Sequence, residues 1–263
     1  MINNMQKALI RKEMRDVIRS GGFFTNYLLV PIMMAIIIPV AMVLVAAFAE
    51  IDTAELSPFL EMLNVNLAEG TEKFTLVSVL INYMIPPLFL MIPIMIVTVV
   101  ASASFTGEKE RRTLETLLYT PMSLRRIFTA KIVTALLLGM MVTLISFAAM
   151  VIFVMILTGT LMGEVFVPSA MWIIILLLVS PAVSWVGIIV QVRISAKAKT
   201  SEEAYQRGGI LVLPLLLLMI GQISGFMVVG PLVFTGIGVG VLVIGWIMMR
   251  LIFKNISYET LLR

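Results

Sequence analysis

The chain has 263 residues, of which 60% are hydrophobic and 13% are charged, and its formal net charge is +4. A soluble domain carries about 25% charged residues, and several uncharged runs here exceed the ~20 residues that a helix needs to cross a bilayer. The composition therefore excludes a soluble globular protein and indicates an all-α integral membrane protein, while the absence of Cys and His excludes disulfides, thiol chemistry and histidine relays.

The first predicted element is an amphipathic helix from Met5 to Arg19, inside a basic segment that covers residues 1–26. Four basic residues recur every fourth position along one ridge: Lys7, Arg11, Arg15 and Arg19. The apolar residues lie largely on the other side, which Glu13 and Asp16 interrupt. We interpret this segment as an interfacial helix on the inner leaflet of the membrane. A solvated basic tail that only fixes the topology is the alternative.

Six apolar segments follow, and each is predicted to be a transmembrane helix of a single membrane domain over residues 1–263. Their approximate bounds are 27–49, 76–105, 128–158, 169–191, 209–228 and 232–253. Pro86, Pro87 and Pro93 each remove a backbone donor and are expected to kink the second span. Neighbouring helices are expected to satisfy the carbonyl groups that these prolines leave free. The connection between spans five and six is either a tight hairpin or a short re-entrant element.

The basic residues predict the orientation of the spans. Eighteen of the 19 Lys and Arg residues lie in the N-terminal segment, the second and fourth loops, and the C-terminal end, and Lys73 in the first loop is the exception. Cytoplasmic loops carry an excess of Lys and Arg. Both termini are therefore predicted to be cytoplasmic, and the alternation supports an even number of spans.

A charged segment, Gly107–Arg126, joins spans two and three on the predicted cytoplasmic side. Glu108 and Glu110 are expected to begin a helix, where negative charge is favoured, and Leu114, Leu117 and Leu118 have the spacing of one apolar helical face. Pro121 is expected to end this helix at about ten residues. So short a helix is marginal on its own, so its apolar face is expected to dock on the bundle, the lipid surface or a soluble partner. An ordinary charged loop is the alternative.

Within this segment, the stretch FTGEKERRTLETLL, followed by TPMS, resembles the motif of type-2 ATP-binding-cassette (ABC-2) permeases. In that family the motif lies between spans two and three of a six-span protein. The resemblance implies a coupling helix that sits in a groove of a separate ATPase subunit. The residues that it assigns to this interface are Glu108, Arg111, Arg112, Leu114, Glu115, Leu117, Leu118 and Pro121.

The same resemblance implies the rest of a transporter. The chain would be the permease subunit of an exporter in a prokaryotic plasma (inner) membrane, with two copies of the ATPase and a second permease copy or paralogue. ATP and Mg²⁺ would bind to the partner ATPase, and this chain has no GxxxxGK[ST] phosphate loop of its own. No cofactor, metal or nucleic acid is expected to bind to the chain, and it is not expected to be an enzyme.

Three other functions are weighed against this interpretation. An intramembrane hydrolase needs a nucleophile with a base, and Ser146 and Ser180 have no such partner nearby in the sequence. A membrane scaffold or assembly factor partnered with an ATPase, and an ion-extruding ABC permease, remain as alternatives. The span cores hold no Asp, Glu, Lys or Arg, which argues against an ion-coupled carrier and favours an amphipathic peptide, a drug or another hydrophobic cargo.

Overall fold

The computed structural model describes residues 4–19, 29–48, 72–110, 123–223 and 230–255, and nearly all of these residues are helical. In chain order the helices are α1 Asn4–Arg19, α2 Val30–Phe48, α3 Glu72–Tyr83, α4 Ile85–Phe89, α5 Met91–Glu110, α6 Leu124–Leu161, α7 Ala170–Ile174, α8 Ser180–Lys197, α9 Ser201–Gly208, α10 Leu213–Ile223 and α11 Pro231–Asn255. A π-helical turn, Ile175–Val179, joins α7 to α8. A 3-10 turn, Gly209–Val212, joins α9 to α10.

The described ranges contain six helical stretches that are long and apolar enough to cross a membrane. They are Val30–Phe48, Ile85–Glu108, Arg126–Leu161, Ala170–Lys197, Ser201–Gln222 and Pro231–Leu251. The all-α fold class with six spans is therefore confirmed. The fourth loop is shorter than expected, because only residues 198–200 separate α8 from α9.

Prolines divide the helical run of the second span into α3, α4 and α5, as the sequence predicts, and the stretch Ile85–Glu108 that could cross a membrane comprises α4 and most of α5. Pro87 has no N–H to donate to the Tyr83 carbonyl four residues earlier, so a regular helix would leave that carbonyl unpaired. Gln222 on α10 supplies the missing donor, with its Nε2 atom 3.2 Å from the Tyr83 oxygen. A neighbouring span thus satisfies a carbonyl that a proline leaves free, as expected.

The second span lies at the centre of the bundle. Its α5 portion packs against α6, α8 and α9, and Val97 is fully buried between them. Two glycines allow this close approach: a Cβ atom on Gly139 of α6 would lie 2.8 Å from Val97 Cγ1, and one on Gly187 of α8 would lie 3.2 Å from Val97 Cγ2. Small residues let transmembrane helices approach each other closely. A displacement of α5 is therefore passed directly to its neighbours.

The last span packs on the π-helical turn Ile175–Val179 and on α8 through alternate glycines of α11. Gly238 faces Leu178, and Gly245 faces the ring of Trp185. Gly236 and Gly240, which are four residues apart, have open space where a side chain would begin. Helix packing among the described residues therefore uses one glycine pair of α11 and leaves the other uncovered.

Asn82 makes a polar contact with the start of span four, at the end of the bundle where span two begins. Asn82 Oδ1 accepts hydrogen bonds from the Ser169 N–H at 3.0 Å and from Trp172 Nε1 at 3.1 Å. The Trp172 ring packs edge-on against Phe89, with centroids 5.3 Å apart, and also contacts Phe147. Asn82 therefore anchors the start of span four to span two.

Candidate functional site

The end of the bundle that carries α1, the last turn of α5, the first turns of α6 and residues 198–200 is called the charged end below. Of the residues assigned to the ATPase interface, Glu108 is described there. The others lie outside the described residues: Arg111, Arg112, Leu114, Glu115, Leu117, Leu118 and Pro121. The coupling helix therefore stays a prediction. The described residues of the charged end show which helices the chain contacts immediately before and after the predicted coupling helix.

A buried lysine joins three helices at the charged end. Lys131 of α6 is 3% exposed, and its Nζ atom lies 2.7 Å from Glu108 Oε1 and 3.5 Å from Glu13 Oε1. It also donates a hydrogen bond to the Ser104 carbonyl at 2.8 Å. Ser104 Oγ in turn donates to Glu13 Oε2 at 3.3 Å. We call these four residues the Lys131 cluster, and it ties α1, α5 and α6 together.

The cluster is stable because every charge in it has partners. An isolated buried ammonium group would be very unfavourable, but Lys131 has two carboxylates, a carbonyl, and the ring of Phe105 with its centroid 5.6 Å from Nζ. The side chains of Glu13 and Glu108 keep 14% and 18% exposure. Removal of one partner from such a group leaves an uncompensated charge, which is more costly than the pair itself is stabilising.

The position of Glu108 and Glu110 differs from the expectation. Both lie within α5, which is described through Gly107 as far as Glu110, and they do not begin a new helix. Both carboxylates have partners on neighbouring helices. Lys131 supplies one for Glu108, and Ser201 supplies one for Glu110.

Glu110 connects span two to the start of span five. Its Oε2 atom accepts hydrogen bonds from the Ser201 N–H at 3.1 Å and from Ser201 Oγ at 3.0 Å. Gly107 lies beside the same serine, because a Cβ atom there would be 3.3 Å from Ser201 Oγ. The N-terminus of α9 is capped by its own residues. The Glu203 N–H donates to Thr200 Oγ1, and Glu203 Oε2 accepts from the Lys199 N–H. This reciprocal pattern is close to a capping box.

Gln191 makes a second, fully buried connection among spans two, four and five. Its Nε2 atom donates to Ser102 Oγ at 2.6 Å and to the Ala204 carbonyl at 2.8 Å. Gly208 makes room for it, since a side chain at that position would collide with Gln191 and Thr98. Close packing and buried hydrogen bonds therefore fix α5, α8 and α9 relative to one another.

The N-terminal helix contacts the bundle with its less basic side. Gln6 Nε2 donates to the Arg126 carbonyl at 3.3 Å, and Glu13 belongs to the Lys131 cluster. Lys7, Arg11 and Arg15 are exposed, and the side chain of Arg19 is not described. Glu13 interrupts the apolar side of α1 because it meets Lys131 there.

Sequence reasoning missed the Lys131 cluster and Gln191. The available signal was an acid on the apolar side of an amphipathic helix together with a lysine several residues inside an apolar helix. Each needs an opposite charge if it is buried, so the two predict each other. Gln191 gave a weaker signal, as an amide at the end of an apolar run.

The geometry of the charged end suits the transmission of motion. The last three turns of α5 bind α1 and α6 through Lys131, α8 through Gln191 and Thr106, and α9 through Glu110. Residues 111–122 follow directly after these contacts in the chain. Force applied to that segment would reach α5 and α6, which it joins in the chain, and the contacts of α5 would pass it to α1, α8 and α9.

Six helical stretches long and apolar enough to cross a membrane, joined at one charged end, define a polytopic membrane protein. The family model described as "ABC-2 family transporter protein" matches residues 7–237. That match spans most of the sequence, from the first turn of α1 into α11, and the chain belongs to the ABC-2 family of transporter proteins. It is therefore a membrane permease subunit of an ABC transporter, a class that works with an ABC ATPase. Comparison with curated proteins and with solved structures finds no match.

Proposed function

We propose that this chain is the permease subunit of an ABC exporter whose ATPase docks on the segment between spans two and three. The observation that carries the proposal is the junction at the end of α5. Glu108 and Glu110, the first acids of the ABC-2 motif, are bonded to Lys131 and Ser201 of neighbouring helices. The motif therefore begins inside a network that reaches five helices.

The proposed mechanism follows from this network. Closure of two ATPase subunits around ATP and Mg²⁺ displaces the coupling helix formed by residues that include Leu114, Leu117 and Leu118. The displacement moves α5, and the Lys131 cluster carries α1 and α6 with it. The exported molecule passes between this bundle and that of a second permease copy or paralogue. Both termini face the cytoplasm of a prokaryotic cell in this arrangement.

The proposed cargo is an amphipathic peptide, a drug or another hydrophobic molecule. The span cores hold no charged residue, and Lys131 at the charged end is already bonded within the protein. Strongly hydrated cargo needs polar or charged groups along its path, because lipid-like surroundings do not replace its hydration. Transport in proteoliposomes that contain the permease and its ATPase tests this proposal. Preference for a hydrophilic sugar or a metal ion over an amphipathic peptide would contradict it.

The docking proposal is tested by co-purification. The tagged chain is isolated in mild detergent, and the ATPase that elutes with it is quantified for the wild type and for Leu117→Asp/Leu118→Asp. We expect the ATPase with the wild type and its loss from the variant. The matched control is Val165→Asp/Val167→Asp, which places two acids on exposed apolar positions at the opposite end of the bundle.

Each outcome of that experiment has a defined meaning. Retention of the ATPase by the leucine variant would contradict docking at this segment, and equal loss from the valine control would show a general effect of added charge. An ATPase that docks at the leucines, and whose turnover moves no substrate, would favour the scaffold function over the exporter.

A further inference from the structure

A groove of about 550 Å³ runs between α1 and the first turns of α6. One side of it is basic and consists of Lys7, Arg11 and Arg15, all three exposed. The other side is apolar and includes Ile18 of α1 with Val133 and Leu137 of α6. A groove with one charged wall and one apolar wall matches an amphiphile rather than a soluble ion or a purely apolar molecule.

No described acid forms an ion pair with the three cations of the groove. They recur every fourth residue on α1, so they stand on successive turns about 6 Å apart. Glu13 of α1 is already bound to Lys131, and the side chain of Asp16 lies outside the described ones. Among the described side chains, the recorded ion pairs belong to Lys131 and Arg207, and none involves the groove cations.

The apolar wall lies on a membrane-spanning helix. Val133 and Leu137 belong to the stretch Arg126–Leu161 that is long and apolar enough to cross a membrane. Leu137 is 47% exposed and Ile18 is 42% exposed. The groove thus begins at a row of cations and continues beside the apolar surface of span three. This arrangement places charge and hydrocarbon contacts in the order in which a phospholipid presents its headgroup and acyl chains.

We propose that this groove binds one anionic phospholipid, with its phosphate between Lys7, Arg11 and Arg15 and an acyl chain against Val133 and Leu137. Basic pockets beside transmembrane helices recognise anionic headgroups, and the apolar contact adds to the electrostatic attraction. A lipid held there bridges α1 and α6 next to the Lys131 cluster. The proposal does not depend on the ATPase, so it can fail or succeed independently of the exporter function.

The test uses the full-length chain alone in detergent. Native mass spectrometry counts bound phosphatidylglycerol and phosphatidylcholine with the same acyl chains over a titration of each lipid. We expect one tight site for phosphatidylglycerol and none for phosphatidylcholine. Because each basic residue near an anionic lipid surface contributes roughly fivefold in affinity, the change Lys7→Gln/Arg11→Gln/Arg15→Gln is expected to weaken that site on the order of 100-fold.

A matched control removes the same charge from another part of the charged end. Arg193→Gln/Lys197→Gln/Lys199→Gln changes three exposed basic residues that do not line the groove, and we expect the tight site to remain. Equal losses from both triple variants would reduce the effect to general electrostatics and overturn the proposal. Absence of a tight phosphatidylglycerol site in the wild type would also overturn it.

A second variant tests the apolar wall without changing the charge. Leu137→Trp fills the groove beside span three, and it is expected to weaken phosphatidylglycerol binding while the three cations are intact. This variant also separates a true groove from a basic patch that attracts any phosphate. Undiminished binding by Leu137→Trp would contradict the position of the acyl chain and, with it, the proposed site.

Discussion

Lys131 and Glu108 form an ion pair with 2.7 Å between Nζ and Oε1, and this pair joins the first turns of span three to the last turn of span two. The two residues stand on either side of the segment 111–122 in the chain. The ion pair therefore closes the base of that segment. A displacement of that segment would therefore act on α5 and α6, which the ion pair already joins. Helix α1 is connected to them through Glu13.

The first prediction concerns the lysine of this pair. Lys131→Met removes the ammonium group that contacts both Glu13 and Glu108. We expect the free energy of unfolding in detergent to fall by roughly 2–4 kcal/mol, less than the ~3–5 kcal/mol for a fully buried pair because both carboxylates keep some contact with water. Thermal unfolding measures the change. Lys197→Met, at an exposed position of α8, is the control and should alter stability by less than about 0.5 kcal/mol.

A double-mutant cycle makes that prediction specific. Glu108→Gln in the Lys131→Met background removes one of the two carboxylates that Lys131 no longer contacts, so part of the lost stability should return. Additive losses from the two changes would show that Lys131 and Glu108 do not stabilise each other.

The second prediction concerns the attachment of α1. Glu13→Gln removes the charge that faces Lys131, so α1 should detach from α6 more often. The natural chain has no cysteine, and a single cysteine at half-buried Met14 reports this opening through its rate of thiol labelling. Since a hydrogen bond to a charged group contributes about 1.5 kcal/mol or more, we expect labelling to be about tenfold faster in the Glu13→Gln background.

Exposed Lys12 provides the comparison for this measurement. A cysteine at that position should react at the same rate with Glu13 or with Gln at position 13. A Met14→Cys rate that is indifferent to the substitution would show that other contacts hold α1 in place.

The third prediction concerns the proline kink in span two. Gln222→Leu removes the donor for the partly buried Tyr83 carbonyl, and loss of such a hydrogen bond costs about 0.5–1.5 kcal/mol. Pro87→Ala restores a backbone N–H four residues after Tyr83. We therefore expect Pro87→Ala to recover stability in the Gln222→Leu background, as measured by thermal unfolding. If the two changes destabilise independently, the Gln222 side chain is not the substitute for the missing N–H.

The fourth prediction compares two glycines in transmembrane helices. Gly139→Ala places a methyl group against the buried Val97 side chain, whereas Gly236→Ala extends into open space. Overpacking typically costs about 1–3 kcal/mol, so only Gly139→Ala should lower the unfolding temperature of the monomer in detergent. Val97→Ala should relieve that clash and restore part of the stability. Equal effects of alanine at the two glycines would contradict the close contact at Val97.

The fifth prediction tests the proposed orientation. Glu164 and Lys199 are exposed residues that lie at opposite ends of the fourth span. With Glu164→Cys, a membrane-impermeant maleimide added to intact spheroplasts should label the protein. With Lys199→Cys, labelling should require permeabilised membranes. The reverse pattern would place the charged end outside the cell.

The spans were predictable because a bilayer imposes a minimum length of uncharged helix, and each such run in this sequence stands out against charged connections. The need for a partner at the proline kink was predictable too, since a missing N–H always leaves a free carbonyl. The identity of that partner was not, because Gln222 meets Tyr83 only through the packing of α10 on the second span.

The charged end was only partly predictable for the same reason. Glu13 and Lys131 are far apart in the chain, and their pairing depends on how α1 rests on α6. The short motif after Gly107 was assigned by resemblance, and its apolar face at Leu114, Leu117 and Leu118 stays a prediction because those residues lie outside the described ranges. Local periodicity indicated helices, whereas the contacts between helices required the tertiary structure.

Span five forms hydrogen bonds with span two at two distant points. Ser201 at its beginning holds Glu110, and Gln222 near its end holds Tyr83. About 30 Å of helix separates these two contacts along span five, which is close to the thickness of the hydrocarbon core of a bilayer. Span five is therefore hydrogen-bonded to span two near both of its ends. Span two cannot slide along span five without breaking one of these contacts. The two contacts leave the pair free to tilt together, so we expect the proposed transport motion to tilt these spans rather than to slide one along the other.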